Sequence, residues 1–149
     1  MGDELALCET VNGTPAGRRG RLAGVGVRSP HCVGEYGLDL ASLKTVGVAA
    51  LRAALAAGHL VVVDEIGPME ILSEGFRSVV REALAADAPL LDTIGRRSTP
   101  FTDWAKGLHA VMLLEVRPDN RDALVSWVVG LIEELRVSPS RRDLRPPYG

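Results

Sequence analysis

Two adjacent carboxylates, Asp64 and Glu65, stand directly after the apolar run Leu60-Val61-Val62-Val63. A continuous apolar run of this kind marks a strand covered on both faces in a parallel sheet, and in open parallel sheets ligands bind outside the carboxyl ends of the strands. An acidic pair in that place has a specific use. Neighbouring residues of an extended chain point to opposite sides, so one carboxylate can hold a magnesium ion, in part through water, while the other faces a reacting phosphate and orients a water molecule. The spacing suits hydrolysis of a phosphoanhydride. Acidic residues are also common where strands turn, and four apolar residues followed by Asp-Glu leave both readings open.

The elements that must position this pair are legible around it. Leu43, Val46, Ala50, Leu51, Ala54 and Leu55 fall on one helical face between Asp39 and Gly58, which predicts an amphipathic helix just before the strand. Phe76, Val79, Val80, Ala83 and Leu84 predict a second helix just after it, with Ser73 placed to cap its start. A short apolar segment, Leu90 to Ile94, reads as the next strand, followed by a polar loop through Arg96, Arg97 and Pro100 and a helical turn at Phe101 to Lys106. A strand is expected at Ala110 to Val116. The stripe Leu124, Trp127, Val128, Leu131, Ile132 and Leu135 predicts a last helix, with Asp119 or Asn120 available to cap it. Toward the amino terminus, strands at Leu5 to Cys8 and Leu22 to Val27 flank a Gly/Arg-rich turn region from Asn12 to Gly20. Alternation of strands and helices at these lengths argues for an α/β sandwich with a mostly parallel sheet.

Composition bounds the partners. The 149 residues are 46% hydrophobic and 24% charged, an ordinary globular balance that suits one domain with a substantial core. A formal net charge of -2 gives no global positive field, so no nucleic acid is expected as partner, the Arg-rich stretch Arg136 to Arg145 being read as solvated. No apolar run approaches the roughly 20 residues that span a bilayer, and Met-Gly-Asp-Glu lacks the basic flank of a signal peptide. A cytoplasmic protein without membrane contact is the expectation. Cys8 and Cys32 are isolated, which points to neither a disulfide framework nor a zinc site. Lysine occurs only at Lys44 and Lys106, arginine taking every other cationic position.

The words around the acidic pair are more specific than the pair itself. Val62-Val63-Asp64-Glu65-Ile66-Gly67-Pro68-Met69-Glu70, followed by Ser73 and Phe76, closely resembles the Walker B region of the small P-loop nucleoside-triphosphatases, the family of thermophile-type and cancer-related nucleoside-triphosphatases. Val33-Gly34-Glu35-Tyr36-Gly37-Leu38-Asp39-Leu40 is similar to its Val-Gly-x-Tyr-x-Val-Asp motif. Thr93-Ile94-Gly95-Arg96-Arg97 stands where the family has Thr-Val-His-Arg-Arg, and Asn120-Arg121-Asp122 resembles its Asn-Arg-Asp helix start. These matches keep the family's order from about Leu22 to Leu135. The resemblance implies a three-layer RecA-like P-loop sandwich and hydrolysis of ATP, GTP and other nucleoside triphosphates with Mg²⁺. It implies that Asp64 holds the ion and Glu65 orients or deprotonates water. Thr93 becomes a candidate γ-phosphate sensor, with strand-end capping as the alternative. Arg96 and Arg97 become candidates for stabilising charge on the transferred phosphoryl group, with a solvated loop as the alternative. Asn120 and Arg121 become candidates for nucleotide contact, with helix capping the alternative for Asn120. Gly95 departs from the family's His, so any role of that imidazole is lost.

The phosphate-binding loop Gly-x-x-x-x-Gly-Lys-Ser/Thr, whose backbone N–H groups cradle phosphates, is not among these residues. Lys44-Thr45 lacks the preceding glycines and falls in a predicted helix, and Gly13 to Gly24 has glycines without Gly-Lys-Ser/Thr. In the family this loop lies ahead of the part that Met1 to Ala23 resembles. The resemblance therefore implies an N-terminally truncated P-loop domain over residues 1–137, inactive and poorly stable by itself, and the Arg- and Pro-rich composition of 138–149 reads as a disordered tail. The alternative is a non-catalytic remnant or interaction module, completed by a partner or by self-association through its incomplete sheet.

Overall fold

In the computed structural model of the chain, residues 4–11, 14–86 and 88–137 are described, and contacts divide the chain into two compact units, Met1–Val111 and Met112–Gly149. The first unit opens on a hairpin of β1 (Glu4–Val11) and β2 (Thr14–Val25). The Gly/Arg-rich stretch expected as a turn is largely strand: Thr14 pairs with Val11, Arg19 with Cys8 and Gly20 with Leu7. The ladder is made by backbone groups, and residue type alone misleads there. Gly20 has its own reason to be glycine, since a Cβ would stand 3.1 Å from both Ser42 Oγ and Val46 Cγ2 of the following helix. β3 (Cys32–Val33) and β4 (Tyr36–Leu38) complete an antiparallel sheet in the order β1-β2-β4-β3.

Asp39 caps the next helix by accepting the Ser42 N–H. This helix runs as α1 (Leu40–Ser42), passes through a π-helical stretch Leu43–Val48 and resumes as α2 (Ala49–Ala56). The wider turn shifts the buried stripe, so Val48 is buried beside Leu43 and Val46 although it lies off the regular spacing. β5 (Val61–Ile66), α3 (Glu74–Ala85) and β6 (Leu90–Ile94) then form a parallel strand-helix-strand unit. Ser73 caps α3 through the Phe76 N–H, and Phe76, Val79, Val80 and Ala83 are buried, as the periodicity predicts. Phe76, Val79 and Val80 join Leu22, Leu38, Leu43, Val61, Val63 and Ile66 in one apolar core. The expectation that the β5 run is covered on both faces fails at Val62, which is 59% exposed while Val61 is 2% exposed; among the described residues, helices and sheet cover one side of β5 only. α4 (Pro100–Lys106) extends the expected helical turn.

Asp92 carries a stability consequence. It pairs with Val63 in register, between Leu90 and Ile94, which pack on the core. Burial pushes its carboxyl above the usual 3.8. A raised carboxyl favours the folded state at low pH and opposes it once ionised. Asp92→Asn should therefore raise the unfolding free energy at pH 7. That advantage should fade as pH falls through the raised pKa and be gone below about pH 3.8, which urea titrations at several pH values would read.

In the second unit, α5 (Arg121–Val137) follows the expected stripe: Leu124 is buried and Trp127, Val128, Leu131, Ile132 and Leu135 are half-buried. The strand expected at Ala110 to Val116 is absent. A strand needs a neighbour as well as apolar side chains, and no described residues pair with this segment, leaving Leu113 and Val116 more than half exposed. The expected tail over 138–149 lies outside the described residues. Among the described residues no helix is long and apolar enough to cross a membrane.

Candidate active site at the carboxyl ends of β5 and β6

Val63 pairs with Asp92 and Ile66 with Ile94, so Asp64 and Glu65 together stand opposite the single residue Thr93. This is a bulge. Both carboxylates are exposed while Val63 and Ile66 on either side are buried, and the plain alternation expected of an extended pair is broken here. Bulges re-aim side chains and recur beside active sites. The Thr93 hydroxyl donates to the Asp64 main-chain carbonyl, satisfying an acceptor that the bulge displaces from the ladder. Of the two roles open to Thr93, this bond is the structural one.

Beyond the bulge the chain turns at Gly67-Pro68. The Gly67 N–H donates to Glu70 Oε2 at 3.1 Å, a side-chain bond that closes the turn, with Pro68 presetting its backbone. Gly67 lies under both carboxylates: a Cβ there would stand 2.6 Å from Glu65 Oε1 and 2.9 Å from Glu70 Oε2, so a larger residue would push these side-chain ends aside. Glu65 and Glu70 therefore face the same glycine. Burial, with a smaller contribution from the Glu65 charge, holds the Glu70 carboxyl above the usual carboxylate range, against N–H bonds from its own backbone and from Gly67. Glu70 lies within the motif legible in the sequence, where no role attaches to it. A Glu three residues after the glycine of a Gly-Pro turn is the signal that could have found it.

On β6, the Gly95 N–H donates to the Ile66 carbonyl at 3.4 Å, and a Cβ on Gly95 would be 4.0 Å from Glu65 Oε1. The exposed loop of Arg96 and Arg97 begins directly after this contact. α4 follows with a reciprocal capping box between Thr99 and Thr102. Five of the residues singled out from sequence are thus assembled within two neighbouring strand ends: Asp64, Glu65, Thr93, Arg96 and Arg97.

A family model described as NTPase matches residues 8–129. The chain belongs to the NTPase family. Two relatives in this NTPase family are the nucleoside-triphosphatase THEP1 of Thermotoga petrophila, 35% identical over 78% of this chain and 65% of that protein, and that of Thermofilum pendens, 43% identical over 72% and 60%. The chain spans less than two thirds of the length of either. The crystal structure of THEP1 from the hyperthermophile Aquifex aeolicus matches with a TM-score of 0.72 and 25% identity, over 80% of this chain and 74% of that one. The fold is accordingly the α/β, RecA-like fold of the P-loop NTPases, and β5 and β6 are its parallel strands among the described residues.

Asn120 and Arg121 of the NTPase chain lie in the second unit. Asn120 stands at the start of α5, but its side chain turns back, accepting the Arg117 N–H at 2.7 Å and donating to the Glu115 carbonyl at 2.9 Å. Asp119 pairs with Arg117 at 3.2 Å. Capping of α5 by either side chain, as expected from sequence, is replaced by these bonds, which hold the turn ahead of the helix. Arg121 is exposed and 3.4 Å from Asp122. As for a metal, no group of three or more His, Cys, Asp or Glu among the described residues could hold one. A single exposed carboxylate fits an ion that keeps several waters and draws further ligands from phosphates, which is how Mg²⁺ is held.

Proposed function

We propose that the protein is a Mg²⁺-dependent nucleoside-triphosphatase that splits ATP, GTP and other nucleoside 5′-triphosphates into the diphosphate and phosphate. The observation that carries this reading is the bulge that presents Asp64 and Glu65 together near the end of β5, with Gly95 beside Glu65 and the Arg96-Arg97 loop following Gly95 in the chain; the names of the relatives support it. Asp64 would hold Mg²⁺, which neutralises charge on the β- and γ-phosphates. Glu65 orients water and accepts its proton as the water oxygen bonds to the γ-phosphorus. The bond from that phosphorus to the bridging oxygen breaks, and its electron pair leaves with the nucleoside diphosphate. Arg97, whose guanidinium has no partner among the described residues, would stabilise charge on the phosphoryl oxygens. Thr93 could sense the γ-phosphate only by redirecting the hydrogen it gives to Asp64.

A non-catalytic interaction module is the second reading, favoured by the exposed Val62 and by the lack of Gly-x-x-x-x-Gly-Lys-Ser/Thr in these 149 residues. Phosphate release from ATP and GTP, with and without Mg²⁺, separates the two when run on this chain and on the chain extended upstream in frame. Magnesium-dependent release by the extended protein is the expected result. No release by either, together with dimers or aggregates that ignore nucleotide, would overturn the enzyme reading in favour of the module.

A further inference from the structure

Lys106, one of two lysines in the chain, sits in the last turn of α4, where a cation ordinarily serves its own helix end. Its ammonium reaches away instead. Lys106 Nζ donates to the Gly95 carbonyl at 2.6 Å, across eleven residues. One turn earlier on the same face of α4, the buried Thr102 hydroxyl donates to the Arg97 carbonyl at 3.1 Å. α4 therefore holds the carbonyls of residues 95 and 97, the two that bracket Arg96, and so fixes the peptide planes from which both arginines project. The same contacts fix Gly95, the neighbour of the Glu65 carboxylate.

We propose that Lys106 is a positioning residue for phosphoryl transfer, which acts by clamping the loop of residues 95–97 so that Arg97 is held in place beside the Glu65 end of the sheet. This inference rests on the nucleoside-triphosphatase reading. It assigns Lys106 no contact with substrate. The clamp is electrostatically strong, because an ammonium bonded to a carbonyl in a half-buried site is a charge-assisted hydrogen bond. Methionine keeps most of the stem and removes the donor, whereas arginine keeps a cationic donor.

The test uses the extended protein and steady-state kinetics of Mg-ATP hydrolysis. Lys106→Met should lower kcat roughly 10- to 100-fold, the scale on which misplaced groups cost rate, with KM changed less than about three-fold. Lys106→Arg should recover a large part of the loss. The decisive readout is the cycle with Arg97→Met: once Arg97 is absent, removing Lys106 should cost less than about three-fold more. A wild type without Mg²⁺-dependent hydrolysis would sink the functional reading, and this inference with it. With an active wild type, the inference alone is overturned by an unchanged kcat in Lys106→Met, by a rise in KM without a fall in kcat, by an inert Arg97→Met, or by losses that multiply in the double variant. If Lys106→Met fails to fold, Lys106→Gln, which also removes the ammonium, is combined with Arg97→Met in the same cycle, and multiplying losses again overturn it.

Discussion

Glu65→Gln in the extended protein should lower kcat for ATP by about 10²- to 10⁴-fold, the range over which a positioned general base contributes, while leaving KM nearly unchanged. Glutamine keeps the shape of the side chain and can still fit between Gly67 and Gly95. It cannot accept the proton of the attacking water. The environment of Glu65 sharpens the expectation: the Glu65 charge is one of the causes that raise Glu70, so removing it should bring the Glu70 carboxyl back toward its usual range. A titration of Glu70 by carbon-13 NMR would read that shift independently of catalysis. A variant with kcat within three-fold of wild type would show that another group handles the proton, and Glu70, facing the same glycine, would be the first to examine.

The parts of this molecule that could be read from sequence are those whose signal is local. α3 and α5 announce themselves because burial on one face imposes a 3.6-residue period, and Asp39 and Ser73 cap the helices they precede because that bonding spans three residues. At β5 the apolar run stopping at two carboxylates marked the candidate site for the same reason, although the strand itself carries on through the pair to Ile66. What the sequence could not give depends on neighbours distant in the chain. The pairing of the Arg- and Gly-rich residues 14–20 with β1 has no signature in their side chains. The bulge at Asp64 and Glu65 exists only relative to β6, since it is the extra residue counted against Thr93 that defines it. The opposite failure occurs at residues 110–116, where apolar side chains suggest a strand and no described partner makes it one.

The same division runs through the candidate site. Residue types and spacing singled out Asp64 and Glu65, and the resemblance added Thr93 and Arg97 as candidates, all with functional groups suited to phosphates. Neither identified Glu70 or Lys106, which act on backbone: one accepts the Gly67 N–H and the other donates to the Gly95 carbonyl. Gly67 and Gly95 are what these two hold, and both glycines border the Glu65 carboxylate. The glutamate proposed as base is thus surrounded by backbone pinned from two directions, by the turn after β5 and by the helix after β6. Such pinning keeps a reacting group near its productive geometry.

Asp64→Asn separates the metal role from the base role. Asparagine preserves volume and leaves the main-chain carbonyl free to accept the Thr93 hydroxyl, so the bulge should persist and the melting temperature should hardly change. What is lost is one negative charge on an oxygen, and Mg²⁺ prefers charged oxygen ligands while keeping much of its water. The Mg²⁺ concentration for half-maximal hydrolysis should rise about ten-fold or more, with kcat at saturating Mg²⁺ falling as well, whereas Glu65→Gln should leave the Mg²⁺ requirement where it was. Electron paramagnetic resonance of Mn²⁺ with a non-hydrolysable ATP analogue gives the same comparison without turnover: weaker binding in Asp64→Asn, unaltered binding in Glu65→Gln. If both variants bound Mn²⁺ as wild type does, the ion would be held elsewhere and the division of labour within the acidic pair would be wrong. If both lost it equally, the two carboxylates would share the ion, which the bulge permits by exposing both to the same solvent-facing end of β5.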